Sequence, residues 1–330
     1  MLDLVSKRYL FFLLSALVIL PGVISLILPG GIHPGIDFSA GSIMTLQFPV
    51  PVDQGELRQA FVDLGHPEAV VQRSEDVYLV RTFPLAEDQR DENGNIIHSE
   101  RQDIENALRQ RFVPADVLAS QPDIRVVVGY DSVSPLVASE IVRKSILAVI
   151  AACIGILGYL SWAFRKVKNP WRYGVCAVAA LVHDALLVLG VFSILGRLFG
   201  VELDALFITA VLTVIGFSVH DTIVVFDRIR ENLQRYPGET FDTVVNHSLT
   251  QTMSRSLNTS ITVLLTLVTL LLFGGVTIHT FVLALLVGII AGTYSSIFNA
   301  SMMLVVWENG EFKRLFHRGP REPEAAAAAA

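Results

Sequence analysis

Asp184, Asp221 and Arg255 each stand within or at the mouth of an apolar run, and His183 and His220 directly precede the two aspartates. A charge near the centre of a bilayer costs at least about 2.5–3.5 kcal/mol, so such groups need partners and often mark ion or proton paths. Histidine titrates near neutral pH, which makes proton transfer the chemistry these residue types suggest. Asp221 lies toward one end of its run and Arg255 opens the next. On antiparallel neighbours they fall at similar depth, which predicts an Asp221–Arg255 pair, because either charge alone is costly. Asp184 reads equally as a relay or as a neutral, hydrogen-bonded acid. His183 reads as a packed interior histidine rather than a ligand.

Arg255 heads a helical stripe with Asn258, Thr259, Thr262, Thr266 and Thr269, which at about 100° per residue fall within about 100° of one another. That stripe suits a water or proton path, and equally the hydrogen bonds that Thr and Asn make between membrane helices. Thr209, Thr213, Gly216, His220 and Asp227 form a second stripe, with Asp221 turned about 100° from it. Ser218, His220 and Asp221 cannot assemble a catalytic triad, because one helix points them in different directions. No His-Glu-x-x-His, Gly-x-Ser-x-Gly or Gly-x-Gly-Asp motif occurs. Cys153 and Cys176 lack metal-ligand spacing and read as buried small hydrophobes. No enzyme, metal or cofactor is expected, and no nucleic-acid partner. Gly288, Gly292, Ser296 and Ala300 recur every fourth residue, a spacing that lets helices approach closely, in this chain or against another subunit.

The elements that must position these groups are membrane helices. Of the 330 residues 52% are hydrophobic and 17% charged, against about 25% charged in soluble domains. Mean hydropathy is +0.54. A hydrocarbon core of about 30 Å needs about 20 apolar residues of helix, and six segments qualify: 9–28, 141–164, 175–195, 205–226, 257–273 and 280–306. The first is long and ends in Leu-Pro-Gly-Gly, which reads as a retained anchor rather than a cleaved signal. Lys7 and Arg8, then Arg165, Lys166, Lys168 and Arg172, then Arg228, Arg230 and Arg235, then Lys313, Arg314, Arg318 and Arg321 all fall on one side. The positive-inside rule makes that side, and both termini, cytoplasmic.

Net charge is -6, and residues 51–125 carry 15 acids against 8 arginines and no lysine, so one acidic segment accounts for it. That segment reads as strands at 42–48, 69–72, 77–82 and 124–128 and helices at 53–64 and 101–112, with Asn93-Gly94 as a turn. The order βαββαβ predicts a small ferredoxin-like α+β domain with both helices on one face of the sheet. The expected organisation is a cytoplasmic N-terminus and first span in 1–38, an extracytoplasmic domain in 39–133, five further spans in 134–308 and a cytoplasmic tail in 309–330. The closing six alanines are given no function.

Four stretches carry a family resemblance. They are Gly35-Ile36-Asp37-Phe38-Ser39-Ala40-Gly41, the run from Phe217 through His220 and Asp221 to Glu231, Ser254-Arg255-Ser256-Leu257-Asn258-Thr259-Ser260, and Gly292-Thr293-Tyr294-Ser295-Ser296-Ile297-Phe298. The chain resembles the SecF family of the bacterial Sec export machinery over nearly all of residues 1–316. The resemblance implies a polytopic α-helical membrane protein with six transmembrane helices, half of a resistance-nodulation-division-type bundle. It implies a SecD partner, action at the SecY/SecE/SecG translocon with YajC and YidC nearby, a translocating polypeptide as cargo, and proton-motive force rather than ATP, in the inner membrane. It also places Asp221 and Arg255 in the proton path, with His220 where the family usually has Asn. Ser134 and Ala138 replace two family glycines, and Ala40 replaces a third. The competing reading is a proton-coupled exporter of small molecules or lipids of the related fold. Those chains carry twelve spans and large paired outer domains, which argues against it.

Overall fold

The computed structural model describes residues 3–74, 76–86, 88–90, 96–167 and 169–311. The Asn93-Gly94 turn, Lys168 and the tail beyond residue 311 lie outside them. Two compact units emerge: residues up to His33 together with those from Leu147 onward, and Pro34–Ile146.

The second unit begins with a short helix α2 (Ile36–Ser39), which follows the first long helix α1 (Arg8–Ile27) in the chain. Strand β1 (Gly41–Gln47), helix α3 (Gln54–Asp63), β2 (Val70–Ser74) and β3 (Val77–Thr82) come next. A two-stranded ribbon, β4 (Gln89–Arg90) and β5 (Ile96–His98), leads into α4 (Glu100–Phe112), the short α5 (Ala115–Ser120) and β6 (Val127–Val133). The antiparallel sheet has order β2-β3-β1-β6, the βαββαβ arrangement its pattern predicts. Asp53 accepts from the amides of Gly55 and Glu56, and Ser99 accepts from that of Gln102, so each helix starts on a side-chain cap. Leu57 and Phe61 of α3 join Ile104 and Leu108 of α4 in one core with Met44, Leu46, Val71 and Val80 of the sheet. The last strand starts three residues later than its apolar pattern suggests and runs on through Gly129-Tyr130-Asp131-Ser132. Pairing with β1 carries these polar residues, and a Cβ on Gly129 would sit 3.2 Å from Thr45 Oγ1. Glu68 is held below the ordinary carboxyl range. Partial burial works against this, and hydrogen bonds donated by Thr82 Oγ1 at 2.6 Å and the Phe83 amide at 3.2 Å outweigh it.

The first unit holds α1 and the long helices that follow: α6 (Pro135–Ala163, from Leu147 on), α7 (Pro170–Phe199), α8 (Ala205–Arg235), α9 (Phe241–Phe273), α10 (Val276–Tyr294) and α11 (Ser301–Glu308). A π-helical turn, Ser295–Ala300, joins α10 to α11, so the last apolar segment is two helices in one span. Among the described residues six spans are long and apolar enough to cross a membrane. Between 44% and 61% of the most apolar stretch is buried in α7, α8 and the last span, against 6% in α6 and 17% in α1 and α9, so the first three form the centre. Asp204 and Thr240 cap α8 and α9. Both helices run far beyond their apolar segments: α9 starts sixteen residues before 257. Hydropathy does not register that amphipathic extension, whose buried Val245 and Leu249 pack in the main apolar core.

Close crossings depend on missing side chains. A Cβ on Gly22 would lie 2.7 Å from the Gly190 Cα, so α1 and α7 touch backbone to backbone. A Cβ on Gly288 would overlap the Val214 side chain, and one on Gly292 would lie 2.9 Å from the Ser218 Cβ. The small-residue stripe therefore packs against α8 of the same chain. Arg197 donates to the carbonyls of Ser25 and Leu28, closing the C-terminus of α1.

Ala40 adopts φ 61° and ψ 161°, a region that suits glycine almost alone. Ala40→Gly is expected to stabilise the chain by about 1 kcal/mol. Thermal unfolding in detergent checks this; an unchanged or lower midpoint contradicts the strain.

Candidate functional site

Asp184 is completely buried. Its Oδ2 accepts from the hydroxyls of Ser218 on α8 and Ser295 in the π-turn, both at 2.7 Å, while Oδ1 lies 3.0 Å from His183 Nδ1. The other ring nitrogen, His183 Nε2, faces Ser15 Oγ on α1 at 3.0 Å and Asn299 Nδ2 at 2.9 Å. With the Asn299 amide donating to Nε2, the ring proton sits on Nδ1 and points at Asp184. Ser296 donates to the Ser218 carbonyl at 2.8 Å and receives Thr222 Oγ1 at 2.9 Å. One hydrogen-bonded cluster thus joins α1, α7, α8 and the last span.

The π-turn follows from this demand. Ser295, Ser296 and Asn299 all reach inward and are all buried. A widened turn lets Ser295, Ser296 and Asn299 serve Asp184, Ser218 and His183 together, and such turns often occur at functional positions. Of these residues Ser15, Ser218, Thr222, Ser295 and Asn299 are not candidates on sequence grounds. Ser218, Thr222 and Ser295 fall within the quoted family stretches, whereas Ser15 and Asn299 have no signal beyond polarity inside apolar runs.

Asp221 differs. It is 3% exposed, and its Oδ2 has no hydrogen-bond partner among the described residues. His220 Nδ1 is 4.0 Å from Oδ1, and the His220 side chain is 66% exposed. Arg255 is near enough for its charge to act on Asp221, yet no ion pair within 4.0 Å joins them among the described residues, contrary to the expectation. Depth places the two together but rotation separates them: Asp221 points into the chain, and Arg255 lies on the exposed face of α9. Asn258, Thr259, Thr262, Thr266 and Thr269 are exposed on α9 too, and Thr209, Thr213, Gly216 and His220 are exposed on α8. The hydroxyls of Thr259, Thr262, Thr266 and Thr269 donate to carbonyls one turn back, so each is satisfied within its own helix. Ser218 donates to Asp184 on α7, away from His220.

The Gly35–Gly41 motif lies in the other unit. Gly35 O accepts from the amides of Phe38 and Ser39, Asp37 and Phe38 form the body of α2, and Gly41 opens β1 at φ 144°. A Cβ on Gly41 would lie 2.9 Å from the Thr82 carbonyl. The motif is a sharp helix-to-strand turn.

Residues 117–310 match the family "Protein export membrane protein SecD/SecF, C-terminal". The chain is 50% identical over 333 residues to the protein translocase subunit SecF of Thermobaculum terrenum, covering 99% of this chain and 100% of that one. It is 34% identical to the protein translocase subunit SecDF of Bacillus subtilis, covering 94% of this chain and 39% of the relative. The crystal structure of a SecDF from Thermus, described as a translocon-associated membrane protein, matches with a TM-score of 0.76 and 30% identity over 93% of this chain and 39% of that one.

The two acids should respond differently to replacement. Asp184→Leu strands three donors and is expected to destabilise the fold by about 3 kcal/mol or more. Asp221→Asn should shift the same unfolding midpoint little. Equal losses, read by circular dichroism in detergent, contradict the assignment.

Proposed function

The chain belongs to the SecD/SecF family as a SecF-type protein translocase subunit, a multi-pass membrane protein, and from that premise we propose that it works with a separate SecD chain to assist protein export, driven by the proton gradient. One observation carries the reading. Beside the half-satisfied Asp221, the α8 and α9 faces expose Arg255, Asn258 and a ladder of threonines along membrane spans. Hydrocarbon penalises an exposed guanidinium, so a second polytopic chain should cover this face. SecDF relatives have a single chain of which this one matches 39%, which supports SecD as that cover.

In this reading residues 1–38 hold the cytoplasmic N-terminus and first span of an inner-membrane protein, and 39–133 form the extracytoplasmic domain. Residues 134–308 add five spans, and 309–330 end in the cytoplasm. Asp221 takes up and releases the transported proton, and its charge alternately attracts and frees Arg255. His220 and the Asn258, Thr259, Thr262 and Thr266 stripe line the route, and Asp184 anchors the helices or passes protons onward. The resulting change in α8–α9 packing reaches the outer domain, which holds or releases polypeptide emerging from SecY/SecE/SecG, with YajC and YidC as neighbours.

Asp221→Asn should abolish gradient-dependent export into membrane vesicles while leaving SecD copurification intact; normal export in that variant sinks the proton role. A cysteine at Thr262 should crosslink to SecD in native membranes. Efficient labelling of that cysteine by a lipid-soluble maleimide, with no crosslink, would place the face against lipid and remove the argument for the partner.

A further inference from the structure

A cavity of about 340 Å³ lies where two spans end, lined by Trp162, Ala163, Arg165, Lys166, Arg230 and Gln234. Trp162 and Ala163 close α6, Arg165 and Lys166 begin the connection to α7, and Arg230 and Gln234 sit in the last turns of α8. Helices α6 and α8 are two spans apart in the chain, so they cross in the same direction, and Arg230 of α8 lies 3.4 Å from the Ala163 carbonyl, level with the end of α6 at that membrane boundary. A Trp exposed at such a boundary belongs to the headgroup level.

The charges around the cavity are unequal. Arg230 is neutralised by Asp227 Oδ1 at 2.7 Å, points toward the Ala163 carbonyl at 3.4 Å and lies over the Phe164 ring. Glu231 is taken by Arg228 and Arg235. Arg165, stacked over Trp162 with its guanidinium carbon 4.8 Å from the ring centre, and Lys166 meet no carboxylate within 4.0 Å among the described residues. Both are exposed. Two uncompensated cations, an amide and an interfacial indole therefore surround one recess. Bases ending a span are ordinary on the cytoplasmic side, but a recess that gathers them between two helices fits a phosphate on a lipid headgroup.

We propose that this recess binds the phosphodiester headgroup of an anionic phospholipid, with Arg165 and Lys166 on the phosphate, Gln234 on the headgroup hydroxyls and Trp162 against the glycerol and upper acyl chain. The site is independent of the proton chemistry proposed above.

The test uses the full chain in detergent and native mass spectrometry, with phosphatidylglycerol, phosphatidylcholine and inorganic phosphate as probes. Phosphatidylglycerol should bind at least about tenfold more tightly than phosphatidylcholine. The double variant Arg165→Gln/Lys166→Gln should lose about tenfold of that affinity. The control Arg143→Gln/Lys144→Gln, which removes the same charge near the other end of α6, should bind as the parent does. Equal binding of both lipids overturns the proposal, as does an equal loss in both double variants. Competition by inorganic phosphate at the concentration of the lipid would identify a free-anion site and overturn the lipid assignment.

Discussion

A carboxyl group sealed among apolar helices must be met by donors, and in this protein that requirement falls on Asp184. Its three partners come from three places in the chain: the neighbouring His183, Ser218 on α8 and Ser295 in the last span. Through His183 the demand extends to Ser15 on α1. Each partner has to arrive within hydrogen-bond distance, so the helices carrying them have to approach more closely than bulky side chains allow. Gly22 against Gly190, and Gly288 and Gly292 against α8, supply that approach. The glycine crossings, the serines and the widened turn are one solution to one constraint. Apolar packing alone does not choose it, because lipid tails are as apolar as leucine.

Asp221 sits on the same helix as Ser218 and shows what happens when the constraint is left open. One of its oxygens has a histidine nearby and the other has no hydrogen-bond partner among the described residues. Arg255, whose charge acts on it, belongs to a face turned outward. Asp184 is a finished site, in which a change of protonation would disturb four helices. Asp221 is an unfinished one, cheap to alter and suited to a group that changes state repeatedly.

The six spans and the ferredoxin-like order were legible in the sequence, because both rest on simple periods: long apolar runs for one, alternating and helical patterns for the other. The caps at Asp53 and Ser99 mark helix starts that those patterns already located. What was not legible depends on rotation and on distant pairing. Depth along a helix follows from counting residues, which placed Asp221 and Arg255 together. Which way each faces depends on neighbours, and there the expected pair did not form. The Asp184 cluster escaped for a related reason. Ser15 and Asn299 lie 284 residues apart, and serine is nearly neutral in any hydropathy average. The π-turn left no trace, since a widened turn is selected by the partners it must reach. The Ala40 departure was visible as an oddity in a glycine-rich motif, and only its backbone angles gave it a cost.

Helices α8 and α9 are 31 and 33 residues long. At about 1.5 Å per residue each measures about 45–50 Å, against a hydrocarbon core of about 30 Å. The surplus lies at the hairpin that joins them, because the apolar segments occupy the opposite ends of both. The pair is therefore a lever with its fulcrum in the apolar segments and a rigid arm beyond them, whose Val245 and Leu249 rest on the main apolar core. A tilt of about 10° at the fulcrum displaces the tip of an arm of about 15 Å by roughly 3 Å. In the role proposed for Asp221, a change of charge there would reach the tip of the arm as a motion large enough to break or make a contact.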